Sequence, residues 1–64
     1  MNKQQAINYA IDKVKTFRDS SDGIEIWEMP NDLFDIVHTM NSNGRNHNLV
    51  NGGKKIKTIY KESD

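Results

Sequence analysis

Between residues 3 and 19 the apolar positions Ala6, Ile7, Ala10, Ile11, Val14 and Phe17 recur at three- and four-residue spacing, while Gln4, Asn8, Asp12, Lys15 and Thr16 fall on other faces. That is the stripe of an amphipathic helix, expected over about 3–19. Asn2 is placed to cap the first turn, and Gln5 can answer it as the second half of a capping box. Ser20-Ser21-Asp22-Gly23 then ends the helix, because glycine takes a left-handed backbone without a steric penalty. The period changes next. In Ile24-Glu25-Ile26-Trp27-Glu28-Met29 the alternation predicts a strand over about 24–29, with Ile24 and Ile26 on one face and Glu25 and Trp27 on the other. Pro30 closes it for want of an amide hydrogen.

Leu33, Ile36, Val37 and Met40 give a second stripe at helical spacing, with Asn31 as cap and Asp32 and Asp35 near the positive end of the helix dipole. A short helix over about 32–41 is expected. Eight residues of the chain are asparagine and five of them lie between 41 and 53, so this stretch predicts a loop. Leu49-Val50 can add a short strand, turning through Asn51-Gly52-Gly53 into a strand over about 55–61, where β-branched residues are enriched. The expected architecture is a single α+β domain over 1–64 in the order α-β-α-β(-β). It has two layers, an N-terminal amphipathic helix packed on a small antiparallel sheet of two or three strands, with a second short helix. The other face of that sheet is expected to be partly open.

Length limits what such a domain can do. A chain of 64 residues holds one core, and it buries only about 60% of the surface it exposes unfolded. With no cysteine there is no disulfide staple and no thiolate metal cage. The start Met1-Asn2-Lys3-Gln4-Gln5 has no apolar run after its lysine, and no stretch reaches the ~18 uninterrupted apolar residues of a membrane span. A cytoplasmic protein with no membrane partner is expected.

Net charge is zero, which removes any whole-protein argument for nucleic-acid steering, yet the charges are segregated. Asp19, Asp22, Glu25, Glu28, Asp32 and Asp35 occupy 19–44 with no base among them; Arg45, Lys54, Lys55, Lys57 and Lys61 occupy 45–61 with no acid. Solvated faces and lysine-protected edges account for both blocks in the ordinary way. In the functional readings, the acids mimic phosphates on a basic site of another protein, and the bases contact phosphates while Tyr60 or His47 stacks on a base.

Chemistry for catalysis is sparse. Asp35 and His38 stand one helical turn apart, which two metal ligands can use, but a solvated histidine explains the pair as well. Ser20 and Ser21 read as turn residues. Asn51-Gly52-Gly53-Lys54-Lys55 lacks the spacing of a phosphate-binding loop. No catalytic, cofactor-binding or metal-binding residue is assigned, and an enzyme is not expected.

Apolar surface is the better lead. If Ile24 and Ile26 face the first helix, Trp27 looks outward unless the second helix folds back over it. Trp27, Met29 and Phe34, flanked by Glu25 and Glu28, are therefore the candidate protein-binding residues, since tryptophan and methionine are enriched at interface hot spots. The first expectation is a small regulator or inhibitor that occupies a surface of a larger protein. The alternatives are a nucleic-acid binder using Arg45, Lys54, Lys55, Lys57, Tyr60 and Lys61, and a homodimer pairing through the open sheet face. The abundance of Asn, Lys and Ile is what an AT-rich genome yields, and compact domains of this size are common in bacteriophages and mobile elements, so such an origin is the expectation from composition.

Overall fold

Asn2 caps the first helix as its spacing predicts. Its side-chain oxygen accepts from the Gln5 amide at 2.8 Å, and its own amide donates to Gln5 Oε1 at 2.9 Å. In the computed structural model, which describes residues 1–61, this helix is α1 (Lys3–Val14), followed by β1 (Gly23–Met29), β2 (Leu33–His38), α2 (Ser42–Val50) and β3 (Lys54–Tyr60). The α+β class, the N-terminal helix on a small antiparallel sheet and the second short helix are all as expected; the order is α-β-β-α-β.

α1 stops at Val14 and not near residue 19. The Thr16 hydroxyl donates to the Lys13 carbonyl at 2.7 Å and the Phe17 amide to the Val14 carbonyl at 3.1 Å. This tighter final turn swings Phe17 inward, where its ring lies 4.9 Å from that of His38. Downstream, Asp19 Oδ1 accepts from the Ser21 amide at 2.9 Å and the Ser21 hydroxyl at 2.8 Å, so both serines are turn residues. Those two bonds, the amide first, hold the exposed Asp19 carboxyl below its ordinary pKa. The depressed pKa means a small stabilisation that is present above the unfolded-state pKa and is lost as pH falls through the folded one. An NMR titration should find Asp19 below the ordinary aspartate range, with Ser21→Ala returning it only part of the way because the amide bond survives.

The sheet has the order β2-β1-β3, with β1 antiparallel to both neighbours. Ile24 and Ile26, both fully buried, face Ala6, Ala10 and Val14 of α1, and Phe17, Phe34, Ile36 and Ile59 pack around this core. Burying each isoleucine contributes about 1.5–3 kcal/mol. The small side chains of Ala6 and Ala10 let the helix lie close on the sheet.

Residues 33–38 form a strand where a helix over about 32–41 was expected. Their apolar residues fit both periods, and the turn decides between them. Asn31 (φ 70°) and Asp32 (φ 61°) adopt the left-handed backbone that these two residue types tolerate best. That conformation folds β2 directly back onto β1, with Met29 opposite Leu33 and Ile24 opposite His38. The residues that would cap a helix here close a hairpin.

β2 and β3 run in the same direction on opposite sides of β1, so the chain between them must cross the sheet. α1 already holds one face, and the crossing segment takes the other. It contains α2, where a loop over about 41–53 was expected. Asn41 caps α2, accepting from the Gly44 amide at 2.9 Å. Leu49-Val50 is its last turn and not a strand. Gly52, at φ +82°, then reverses the chain. Gly53 follows with its Cα so near Met29 and the Asn48 carbonyl that an added Cβ would lie 2.8 Å from that oxygen.

Candidate protein-binding surface

The sheet face opposite α1 is covered. Trp27 does point away from Ile24 and Ile26, as alternation requires, but it is only 4% exposed, on the face that α2 joins through Arg45 and Glu25. The indole is therefore core, so of the two placements open to Trp27 the buried one is found, and as a candidate protein-binding residue it supplies no exposed anchor. Glu25 shares that face and is buried with it. Trp27 Nε1 donates to Glu25 Oε1 at 3.0 Å and Arg45 Nε donates to Glu25 Oε2 at 2.7 Å, so both carboxylate oxygens are satisfied. This pair joins α2 to the central strand. Met29 and Phe34 are half-buried, Phe34 against the α1-side core. Of the five candidate protein-binding residues only Glu28 is exposed, and they do not form one surface.

The acidic block is dispersed in the same way. Glu25 is consumed by Arg45, Asp35 Oδ1 accepts from the Ile36 amide at 2.8 Å, and the remainder lie on three different turns and strands. A phosphate-like array is not formed. Asp35 and His38, three apart on a strand, point to opposite faces and cannot share a ligand. Among the described residues no group of three or more potential metal-ligating side chains is found, and no helix is long and apolar enough to cross a membrane.

Of the basic residues, Arg45 is held by Glu25, and Lys61 Nζ donates to the Phe17 carbonyl at 2.6 Å, which ties the end of β3 to the end of α1. Lys54, Lys55 and Lys57 are exposed along β3, and Tyr60 follows them at 53% exposure. Their two faces are set by the register. Lys57 lies opposite Ile26, on the α1 side, whereas Lys55 lies opposite Trp27, on the α2 side. Ile56 is the extra residue of a bulge between these pairs. β3 is an edge strand, and its outer main-chain edge has no strand partner among the described residues.

Beside that edge runs a groove of about 570 Å³, lined by Ile11 and Val14 of α1, by its C-cap Lys15, and by Ile59, Tyr60 and Lys61. Ile11 belongs to the apolar stripe of α1 by spacing, yet it is 42% exposed. The sheet ends at β3, and among the described residues nothing lies beyond it to cover this side of the helix. The groove escaped the sequence because Ile11 and Ile59 are far apart in the chain. In comparison with known proteins, no family model, no curated protein and no solved structure matches the chain.

Proposed function

We propose that this chain is a small non-enzymatic protein-binding module, a regulator or inhibitor that occupies a surface of a larger protein, and that it does so through its α1–β3 side. The observation that carries the reading is the open edge of β3 lying beside a groove floored by Ile11, Val14 and Ile59. Edge strands invite strand pairing, and proteins usually blunt them. Here the lysines blunt pairing with a second copy, because like charges on adjoining strands repel. They leave the edge open to a partner of opposite charge. The nucleic-acid reading loses Arg45 and Lys61, whose polar heads are held by Glu25 and the Phe17 carbonyl.

Ile11→Glu places a charge in the groove at a position already 42% exposed, so the core of α1 should tolerate it. Tagged wild-type protein should capture a partner that Ile11→Glu does not, with both proteins monomeric in sedimentation. Capture that is indifferent to Ile11→Glu would overturn the reading. So would a nucleic-acid mobility shift that falls steeply with salt and vanishes when Lys54, Lys55 and Lys57 become glutamate, since that pattern belongs to phosphate contacts.

A further inference from the structure

Resting on that reading, we infer that the α1–β3 side takes an extended, acidic segment of its partner, added as a fourth strand along β3, with one apolar side chain seated in the groove between Ile11 and Ile59. An incoming strand finds the amides and carbonyls of the β3 edge, which have no strand partner among the described residues, and main-chain bonding of this kind supplies affinity without requiring a particular sequence. Specificity then comes from alternate side chains, because those of an added strand point in turn to the two faces. On one face they meet the groove, whose floor is Ile11, Val14 and Ile59 and whose volume of about 570 Å³ holds a leucine or a phenylalanine with room to spare. On both faces they meet lysine: Lys57 on the α1 side, Lys55 on the α2 side, and Lys54 at the start of the strand.

Among the described residues these three lysines enter no salt bridge. Lys15, on the far rim, is paired only with Asp12 at 3.9 Å, with both side chains more than two-thirds exposed. A solvated pair of that kind is worth little and is readily exchanged for a partner's carboxylate. The rim is thus cationic around an apolar floor, which selects a segment alternating carboxylates with an aliphatic or aromatic residue. It selects equally against a second copy of this chain, whose β3 would bring lysine to lysine. Lys61 is not part of the recognition set, because its ammonium already holds the Phe17 carbonyl and forms the end wall of the groove.

The probe is a set of peptides as long as β3, in which glutamate alternates with valine, leucine or phenylalanine, titrated into the ¹⁵N,¹³C-labelled full chain at low salt. The expected result is shifts confined to the β3 amides and to the Ile11, Val14 and Ile59 methyls, with slowed exchange of the outward-facing β3 amides. Lysine in place of glutamate, or Lys57→Glu in the protein, should weaken binding by tenfold or more. N-methylation of alternate peptide amides should abolish it. Absence of shifts at millimolar peptide overturns the inference, as does binding that survives N-methylation or is unaffected by the charge exchanges. If the peptides fail while Ile11→Glu still abolishes partner capture, the module reading stands and only the strand-addition chemistry falls. If both fail, both fall.

Discussion

Arg45→Ala should destabilise the fold by about 3 kcal/mol, because it strips the buried Glu25 carboxylate of its cation while leaving the carboxylate in place. Glu25 sits on the central strand with its side chain only 3% exposed, and its two oxygens are divided between Arg45 Nε and the Trp27 indole. Removing one partner of such a pair costs about 3–5 kcal/mol. The lower end applies here because the Arg45 side chain is 37% exposed and gives up less hydration when it pairs. A domain of this size has a total stability of only about 3–10 kcal/mol, at ~0.05–0.15 kcal/mol per residue, so a loss of this order approaches unfolding. It should be localised: α2 has no other polar anchor to β1 among the described side-chain hydrogen bonds, and its detachment would wet Trp27. Denaturant titration gives the magnitude, and a red shift of tryptophan emission before the global transition gives the place. The double variant Glu25→Leu with Arg45→Met should recover only part of the loss, since apolar side chains of similar volume replace a buried pair at little cost but leave the buried Trp27 indole N–H without its acceptor. An Arg45→Ala protein within 0.5 kcal/mol of the wild type, the usual range for surface substitutions, would show that the pair does not hold α2.

How far the chain can be read without coordinates differs from element to element, and the reason is physical in each case. α1 is legible because two independent signals agree, the stripe and the Asn2–Gln5 box. β1 was legible from Ile24 and Ile26, and β3 from its β-branched residues. β2 was misread because Asn31 and Asp32 serve helix caps and left-handed hairpin turns equally, and Leu33, Ile36 and Val37 fit both periods. α2 is not legible because Ser42–Val50 is rich in asparagine, which favours turns, and its cap Asn41 suits a turn as well as a helix start. What makes it helical is the crossing from β2 to β3 and the contact of its inner side with the sheet, which is tertiary context overriding propensity. The same error displaced the candidate site. With the second helix expected at about 32–41 and residues 42–50 as a loop, Trp27 could lie either under that helix or at the surface, and the surplus of apolar surface is assigned to the wrong side. A surplus does exist, at Ile11 beside β3, where the pairing of distant residues creates it.

The second large effect has the opposite sign: removing the unpaired Asn48 amide should stabilise the protein by about 1–2 kcal/mol, directly in Asn48→Ala and in Asn48→Leu less the cost of its added volume, against the general tendency of substitutions to destabilise. α2 is packed with its polarity reversed. Asn48 points inward at 1% exposure, and its amide nitrogen and oxygen have no hydrogen-bond partner among the described residues, whereas Leu49 and Val50 face outward at 61% and 85%. A buried polar group left unpaired costs about 1–3 kcal/mol of desolvation. Leucine removes that cost and is the better helix former by a few tenths of a kcal/mol. Against this stands the added volume, which a well-packed site resists by about 1–3 kcal/mol. Asn48→Ala separates the two, because it removes the unpaired amide without enlarging the side chain. Stabilisation by both variants in denaturant titration, with slower amide exchange across α2, would establish that Asn48 strains its contact with the sheet. Loss of more than 1 kcal/mol in both would mean that the amide is hydrogen-bonded in solution, and α2 would then be anchored at two points, Arg45 and Asn48. The two variants at these positions therefore bracket the same element. If Arg45→Ala loosens α2 and Asn48→Leu tightens it, the cover over Trp27 is held by one ion pair against an unfavourable interior contact, and its opening becomes adjustable without touching the groove on the α1 side.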